Sequence, residues 1–490
     1  MAKSARARVE VLRSEQIAGG ILPKVLNSFD MVAIFVAIVL FISNSAVVTG
    51  AGPAAFIYWF LGFITFLIPG AIVTGQLGLM FPGEGSIYVW THKAFGTFWG
   101  FFAGFCAWWP GVLVMVATGD AVVSYIQNMN GSWLTAPWQQ GVVILLVLVF
   151  SMILSWLRFR VTQNWVNLIF VSYGAAILLV GLAGVLWLAT GHPSNTDFHV
   201  QHWVLGSSNW TFYGLVILAL LGIEVPLNMG VEIRDMRAIT RYLFWGSVVV
   251  MVAYLLGTFG VMVAVPASVQ GSPAAVATAV QQGFGPAGRV LGIIVNLVFI
   301  GFFLFNTAVY NYSFSRLLFV SGLDQRLPEV MSRVNRNRVP WVAVLVQTII
   351  AAIFTVVAFM LVPYLVRAGS ATDLSTEVYD VLQAAVTIIW CVSMVILFVD
   401  VSYIVHKYPE EFQSRQLAPR PVFYICTLIG AIASAVGVWV TLTGPWTTLI
   451  SSSAWLWLLI IIAVVSLAFG AFMFVLGERG GARSATGYEL

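Results

Sequence analysis

Charge is what this chain has least of. Only 9% of its 490 residues are Asp, Glu, Lys or Arg, against about 25% in an ordinary soluble domain. Most of the chain therefore cannot present a solvated surface. Cysteine is almost as scarce. Cys106, Cys391 and Cys426 all fall inside apolar runs. That excludes a disulfide framework or a zinc-binding spacing and leaves them as small packing residues. The five histidines are scattered. His192, His199 and His202 share one loop, where no acidic or cysteine partner is expected to complete a metal site. No glycine-rich phosphate loop of the P-loop kind occurs, which excludes an ATP motor of the chain's own. A membrane enzyme would need a His, Asp and Glu cluster at one face, and a substrate-sensing receptor would need a soluble output domain. Neither is visible. No cleavable leader is expected either, because the first 28 residues are basic and polar and the first apolar run is a full span.

What fills the chain is apolar sequence. It is 60% hydrophobic, with mean hydropathy +0.95. A bilayer core about 30 Å thick needs roughly 20 apolar residues in a helix. Twelve stretches qualify: 31–49, 55–80, 98–127, 139–158, 164–189, 211–231, 240–265, 288–320, 341–365, 380–405, 421–443 and 452–476. With a cytoplasmic amino terminus, 21 of the 23 Lys and Arg residues fall on the cytoplasmic side and only Arg289 and Arg367 fall outside. This is the bias of the positive-inside rule. The net charge of +4 thus reads as topology and contact with a lipid bilayer, and a nucleic-acid partner is excluded.

Two spans interrupt themselves. The first carries Ser43-Asn44-Ser45-Ala46 inside apolar sequence, with Gly50, Gly52 and Pro53 following. The sixth reads Ala219-Leu220-Leu221-Gly222-Ile223-Glu224-Val225-Pro226. Non-helical backbone at membrane depth survives only when buried in protein or lining a watery cavity. Paired interruptions in corresponding spans point to a transporter binding site. A broken helix frees N–H groups at one end and C=O groups at the other. An amino acid, with an ammonium and a carboxylate on one carbon, suits both.

Three motifs resemble those of the amino acid–polyamine–organocation (APC) superfamily, and the resemblance covers residues 29–476. Pro82-Gly83-Glu84-Gly85-Ser86-Ile87-Tyr88-Val89-Trp90, then Ala94-Phe95-Gly96, is similar to P-x-x-G-G-x-Y-x-W and A-F/L-G, with Ser86 in place of the second glycine. Gly222-Ile223-Glu224 and Glu232-Ile233-Arg234-Asp235 resemble G-x-E and E-V/I-K-N-P, with Arg-Asp for Lys-Asn and no proline. Ser315-Arg316-Leu317-Leu318, Asp324-Gln325-Arg326-Leu327-Pro328, Arg333-Val334-Asn335 and Val339-Pro340-Trp341 resemble S-R-L-L, R-D-G-x-L-P and R-V-N-x-x-x-x-P.

The resemblance implies an all-α membrane protein of 12 helices with a five-plus-five inverted repeat and broken helices 1 and 6. The chain divides into a cytoplasmic tail (1–28), a first five-helix repeat (29–190), a second, inverted one (208–408), two further helices (420–477) and a cytoplasmic tail (478–490). The family's small G-[SA]-G turn falls on Ser43-Asn44-Ser45, its span-six gating aromatic on Leu218, and a substrate-facing aromatic on Tyr310. The expected activity is secondary active transport, by symport or exchange, across the cell membrane. The expected substrate is an amino acid, neutral by the leucines at 218, 220 and 221, held at Ser43–Ala46, Ala219–Gly222 and Tyr310. A polyamine or other organic cation is the alternative; it would want several acids at the cavity, and only Glu224 is expected there. No cofactor is expected.

Glu224 is the deep carboxyl and the proton-coupling candidate. Asp30 and Asp400 read as interfacial or capping groups, and Asp120 lies toward the outer part of span three. Asn306 and Thr307 offer the oxygens for a sodium alternative, and Tyr173 falls near where some relatives carry a lysine. A monomer and a homodimer both remain open.

Overall fold

The computed structural model describes residues 11–206, 209–365, 371–446 and 450–486. Lys3, Arg6, Arg8 and Arg367, which enter the charge argument, lie outside them. The described residues are helical throughout, with only two isolated β-bridges, Leu26 to Ile233 and Glu84 to Met229. Nineteen α-helices follow one another: α1 (Arg13–Ile21), α2 (Ser28–Val39), α3 (Ser43–Val47), α4 (Ala54–Gly62), α5 (Ile68–Met80), α6 (Ser86–Phe95), α7 (Thr97–Met129), α8 (Pro137–Trp156), α9 (Phe159–Ala189), α10 (Thr211–Leu220), α11 (Arg237–Ala264), α12 (Ala275–Gly283), α13 (Gly288–Leu323), α14 (Trp341–Thr355), α15 (Val362–Leu365), α16 (Ala371–Lys407), α17 (Pro409–Ser414), α18 (Arg420–Thr443) and α19 (Ser452–Thr486). Eleven helical segments are long and apolar enough to cross a bilayer, and the bent pair α2–α3 makes a twelfth. Their outer faces carry exposed side chains such as Leu146, Leu168, Leu178, Leu428 and Val465, a surface that only lipid would cover at low cost.

Local chemistry sets the helix ends. Asn27 caps α2 by accepting the Asp30 N–H at 2.9 Å, and Asp30 accepts the Asn27 N–H at 2.9 Å, a reciprocal capping box. Asp30 also pairs with Arg160 at 2.6 Å. Asp400, expected at a hydrated interface, is instead fully buried and accepts the Thr91 hydroxyl at 2.5 Å. At the C-terminus of α5, Arg415 reaches back to the Leu79 carbonyl at 2.6 Å, covering one of the last carbonyls that no helical N–H can reach.

Both expected interruptions exist, but the first is shifted. Ser43–Val47 is helical, and the open backbone lies at Leu40–Ile42, between α2 and α3, with a 40° bend. Within this helical run Ser45 returns its hydroxyl to the Ile42 carbonyl at 2.6 Å, so the side chain is satisfied locally without opening the backbone. The second break follows α10. Leu221 is extended, Gly222 has φ +98°, and Val225–Asn228 continues as a short 3-10 turn. Only glycine suits Gly222: a Cβ there would sit 2.5 Å from Ile38 Cγ2 and 3.2 Å from the Trp390 ring, at a φ that L side chains rarely adopt.

Candidate substrate cavity between the two broken helices

The open turn at Leu40–Ile42 exposes polar backbone that must find partners at membrane depth. Three tyrosines supply them. Tyr310 of α13 donates to the Ile38 carbonyl at 2.6 Å. The Tyr254 hydroxyl of α11 accepts the Phe41 N–H at 3.1 Å and lies 2.8 Å from the Val39 carbonyl and 3.1 Å from the Ala219 carbonyl. The Tyr173 hydroxyl of α9 accepts the Ile42 N–H at 3.1 Å and donates to the Leu40 carbonyl at 3.1 Å. All three rings are buried. Tyr254 therefore ties the first break to the end of α10, across 35 residues of sequence from its own helix.

Above this bracket lies a cavity of about 180 Å³, walled by both broken helices, α7, α13 and α16. Of the expected residues, Ser43, Asn44, Ala219, Leu221 and Tyr310 line it, as does Leu218. Ser45, Ala46, Leu220 and Gly222 do not: they pack behind the lining residues. Glu224 is one layer back as well. Its Oε1 accepts the Trp390 indole N–H at 3.1 Å, and Trp390, not Glu224, faces the cavity. The carboxyls at the wall are Asp120 of α7 and Asp380 of α16, accompanied by Gln383. Among the described residues no Lys, Arg or His lines this cavity. Asp120 was visible in the sequence; Asp380 was not, because it sits at the very start of an apolar run and looks like an ordinary helix-end acid.

The sodium candidates do not converge on the cavity. Thr307 spends its hydroxyl on the Phe303 carbonyl at 2.8 Å and on Thr118 at 2.7 Å. The Asn306 amide is buried with no hydrogen-bond partner among the described residues. In the outer loop, Asp197 stands 3.2 Å from His202 and 3.8 Å from His199, an acidic neighbour that the sequence reading had not credited. No His, Cys, Asp and Glu group among the described residues has a metal-binding arrangement.

At the basic end the molecule is shut. Arg316, fully buried, lies 2.5 Å from Glu232 and 3.4 Å from Glu84. Ser86 donates to Asn228 at 2.6 Å, and the Gly85 N–H bonds the Asn228 carbonyl at 2.9 Å. Burial pushes Glu84 well up from the usual carboxylate range, and Glu232 up as well, against the pull of Arg316. Outside this cluster, the segment between α1 and α2 bonds the Val25 and Leu26 N–H groups to the Glu232 carbonyl at 2.9 Å. Helix α1 is fastened by Ser14 to Asp324 at 2.7 and 2.9 Å and by Glu15 to Lys93 at 2.9 Å. Cavity residues such as Val47, Ser124 and Asp380 lie toward the opposite end, so the cavity extends away from this closed face.

Known proteins share this sequence pattern. The amino acid permease family model matches residues 26–481. The chain is similar to a probable agmatine/putrescine antiporter, AguD, of Lactococcus lactis, with 24% identity over 68% of this chain and 72% of the relative. It is similar to the polyamine transporter RMV1 of Arabidopsis thaliana, with 24% identity over 79% and 73%. It is also similar to the gamma-aminobutyric acid permease of Escherichia coli, with 26% identity over 65% and 68%. With the family match running from the first broken helix through the last span, the chain belongs to the amino acid permeases of the amino acid–polyamine–organocation superfamily, a family of transporters and not of enzymes.

Proposed function

We propose that this protein is a secondary transporter of the cell membrane that moves small amine-bearing cations by alternating access, with a diamine or short polyamine as the preferred substrate class. The observation that carries this reading is the cavity wall: Asp120 and Asp380 line it and, among the described residues, no basic side chain does. A diamine has two ammonium groups to place and no carboxylate. An amino acid must also place a carboxylate, which is unfavourable beside two acids unless a donor offsets it. The backbone N–H groups of Phe41 and Ile42, the natural carboxylate donors of a broken helix, are already taken by tyrosine hydroxyls. The names of the agmatine/putrescine and polyamine relatives agree with this choice. An amino acid is the second reading, supported by the gamma-aminobutyric acid relatives, whose substrate separates its two charges along a chain.

On this reading the fold is the five-plus-five inverted repeat, the basic end is cytoplasmic, and the described conformation faces outward. Glu224 is the coupling carboxyl, acting through Trp390. Proton coupling or exchange is favoured over sodium, since the Val39 and Leu40 carbonyls that could coordinate an ion are hydrogen-bonded by tyrosines. The test is a thermal-stability screen of the purified protein with putrescine, agmatine, spermidine and the neutral amino acids, because a ligand stabilises the fold it binds. Stabilisation by diamines that Asp120→Asn and Asp380→Asn each weaken supports the reading. Stabilisation by neutral amino acids alone overturns it.

A further inference from the structure

A second cavity, of about 260 Å³, opens at the basic end and is unconnected with the substrate site. Arg158, Arg160, Arg336 and Arg338 line it together with Val25 and Glu232. The two acids near it are committed: Asp30 to Arg160 at 2.6 Å and Glu232 to Arg316 at 2.5 Å. Arg158, Arg336 and Arg338 have no acidic partner among the described residues. Three guanidinium groups thus gather around one hollow with their charge uncompensated. Like charges do not collect without cost, and a planar guanidinium is the side chain best matched to a phosphate.

The cluster is built, not incidental. The loop that presents Arg336 and Arg338 is anchored to the end of α8 by two amides. Asn335 and Asn337 both donate to the Trp156 carbonyl, at 3.1 and 2.9 Å. Asn335 also accepts the Asn337 and Val339 N–H groups at 2.9 and 3.1 Å. Arg338 itself is held at φ +60°, a left-handed conformation that an arginine adopts at a cost. On the other side, Arg158 is the N-cap of the 31-residue α9, whose first turn directs unpaired N–H groups and the positive end of the helix dipole at the same space. Glu232 remains in the wall, paired with Arg316.

The hollow borders the lipid-facing surface. Leu157, just before α9, and Val161 and Trp165 in its first two turns are 41%, 45% and 52% exposed, and a Trp at this depth is the usual mark of the headgroup layer. We propose that this cavity is a binding site for the phosphate of an anionic phospholipid in the leaflet at the basic end, with the acyl chains lying along Leu157, Val161 and Trp165. The ligand chemistry, a phosphate held by arginines and a helix N-terminus, would also fit free phosphate; the apolar flank decides for the lipid. Because Val25 and Glu232 form part of its wall, a bound headgroup braces the segment between α1 and α2 that seals the closed face.

Native mass spectrometry of the full-length protein tests this, with phosphatidylglycerol and phosphatidylcholine added in turn. The wild type should retain phosphatidylglycerol roughly tenfold better, each arginine near an anionic surface contributing several-fold. The preference should collapse in the triple variant R158Q/R336Q/R338Q and largely persist in R158K/R336K/R338K, which keeps the charge. Should the glutamine variant fail to fold, high salt applied to the wild type gives the same reading, since screening weakens a charge-held lipid. Equal retention of the two lipids by the wild type overturns the site. Thermal stabilisation by inorganic phosphate without any lipid preference overturns the lipid assignment and makes it a soluble-anion site.

Discussion

Removing the Tyr254 hydroxyl probes how the first broken helix is held. In Tyr254→Phe the ring keeps its place, stacked on Trp59 with centroids 4.1 Å apart. The Phe41 N–H then loses its acceptor, and the Val39 and Ala219 carbonyls lose the one proton they compete for. Each buried backbone group left unpaired costs about 1–3 kcal/mol, so two unmet groups cost about 2–6 kcal/mol. Tyr173→Phe strands two groups as well, the Ile42 N–H and the Leu40 carbonyl. Tyr310→Phe strands only the Ile38 carbonyl and should cost about 1–3 kcal/mol. The expected order of destabilisation is Tyr254 and Tyr173 together, then Tyr310. Reversible unfolding in mixed micelles with increasing SDS measures it. If all three variants lose less than about 1 kcal/mol, water reaches the break and satisfies its groups, and the tyrosine bracket is not what holds the turn. If Tyr310→Phe is the worst, the hydroxyl count is the wrong measure.

Three further outcomes follow from the closed end, the deep carboxyl and the charge bias. Glu84 and Glu232 have raised pKa values when the basic end is shut, and opening to water returns them toward ordinary ones. The closed form therefore binds more protons; its extra stability is complete below the ordinary glutamate range and is lost as pH rises through the raised values. Arg316 faces both, and Tyr312 faces Glu232. Hydrogen exchange of the Val25 and Leu26 amides, corrected for intrinsic rates, should speed up as pH rises, and protection independent of pH removes the argument. Glu224→Gln should fold and bind substrate but flatten the pH dependence of uptake in proteoliposomes; an unchanged profile makes Glu224 structural. Cysteines placed at Ser194 and Ser414 should label from opposite sides of the membrane, and labelling from one side refutes the topology.

The spans were legible in the sequence because bilayer thickness fixes their length and because basic residues gather in alternate loops. The sixth-span break was legible for a local reason: Gly222 and Pro226 are both unfavourable inside a helix, and they fall four residues apart. The first break was misplaced by three residues because Ser43–Ser45 looks like a helix breaker, while Ser45 bonds back to its own helix. Its true position depends on Tyr173, Tyr254 and Tyr310, each more than a hundred residues away in sequence from the backbone it caps. A sequence offers no sign that a given tyrosine is aimed at a distant carbonyl.

The same long-range contacts shift where recognition has to occur. A broken helix was expected to offer its free backbone groups to the substrate. Here the Ile38, Val39 and Leu40 carbonyls and the Phe41 and Ile42 N–H groups are bonded to hydroxyls of the surrounding helices, so on the proposed reading recognition at this break falls to side chains at the wall, Asn44 and Asp120 among them, with Leu218 and Leu221 beside them. Side-chain recognition is more specific to charge than backbone recognition, since backbone offers both signs and the described residues of this wall offer one. Glu224 belongs to a second layer. Its Oε1 accepts the Trp390 indole N–H, so on the proposed reading a change in its charge acts on the wall through that ring rather than by touching substrate. That separation is consistent with the division of labour proposed here, in which Asp120 and Asp380 select the cation while Glu224 reports protonation.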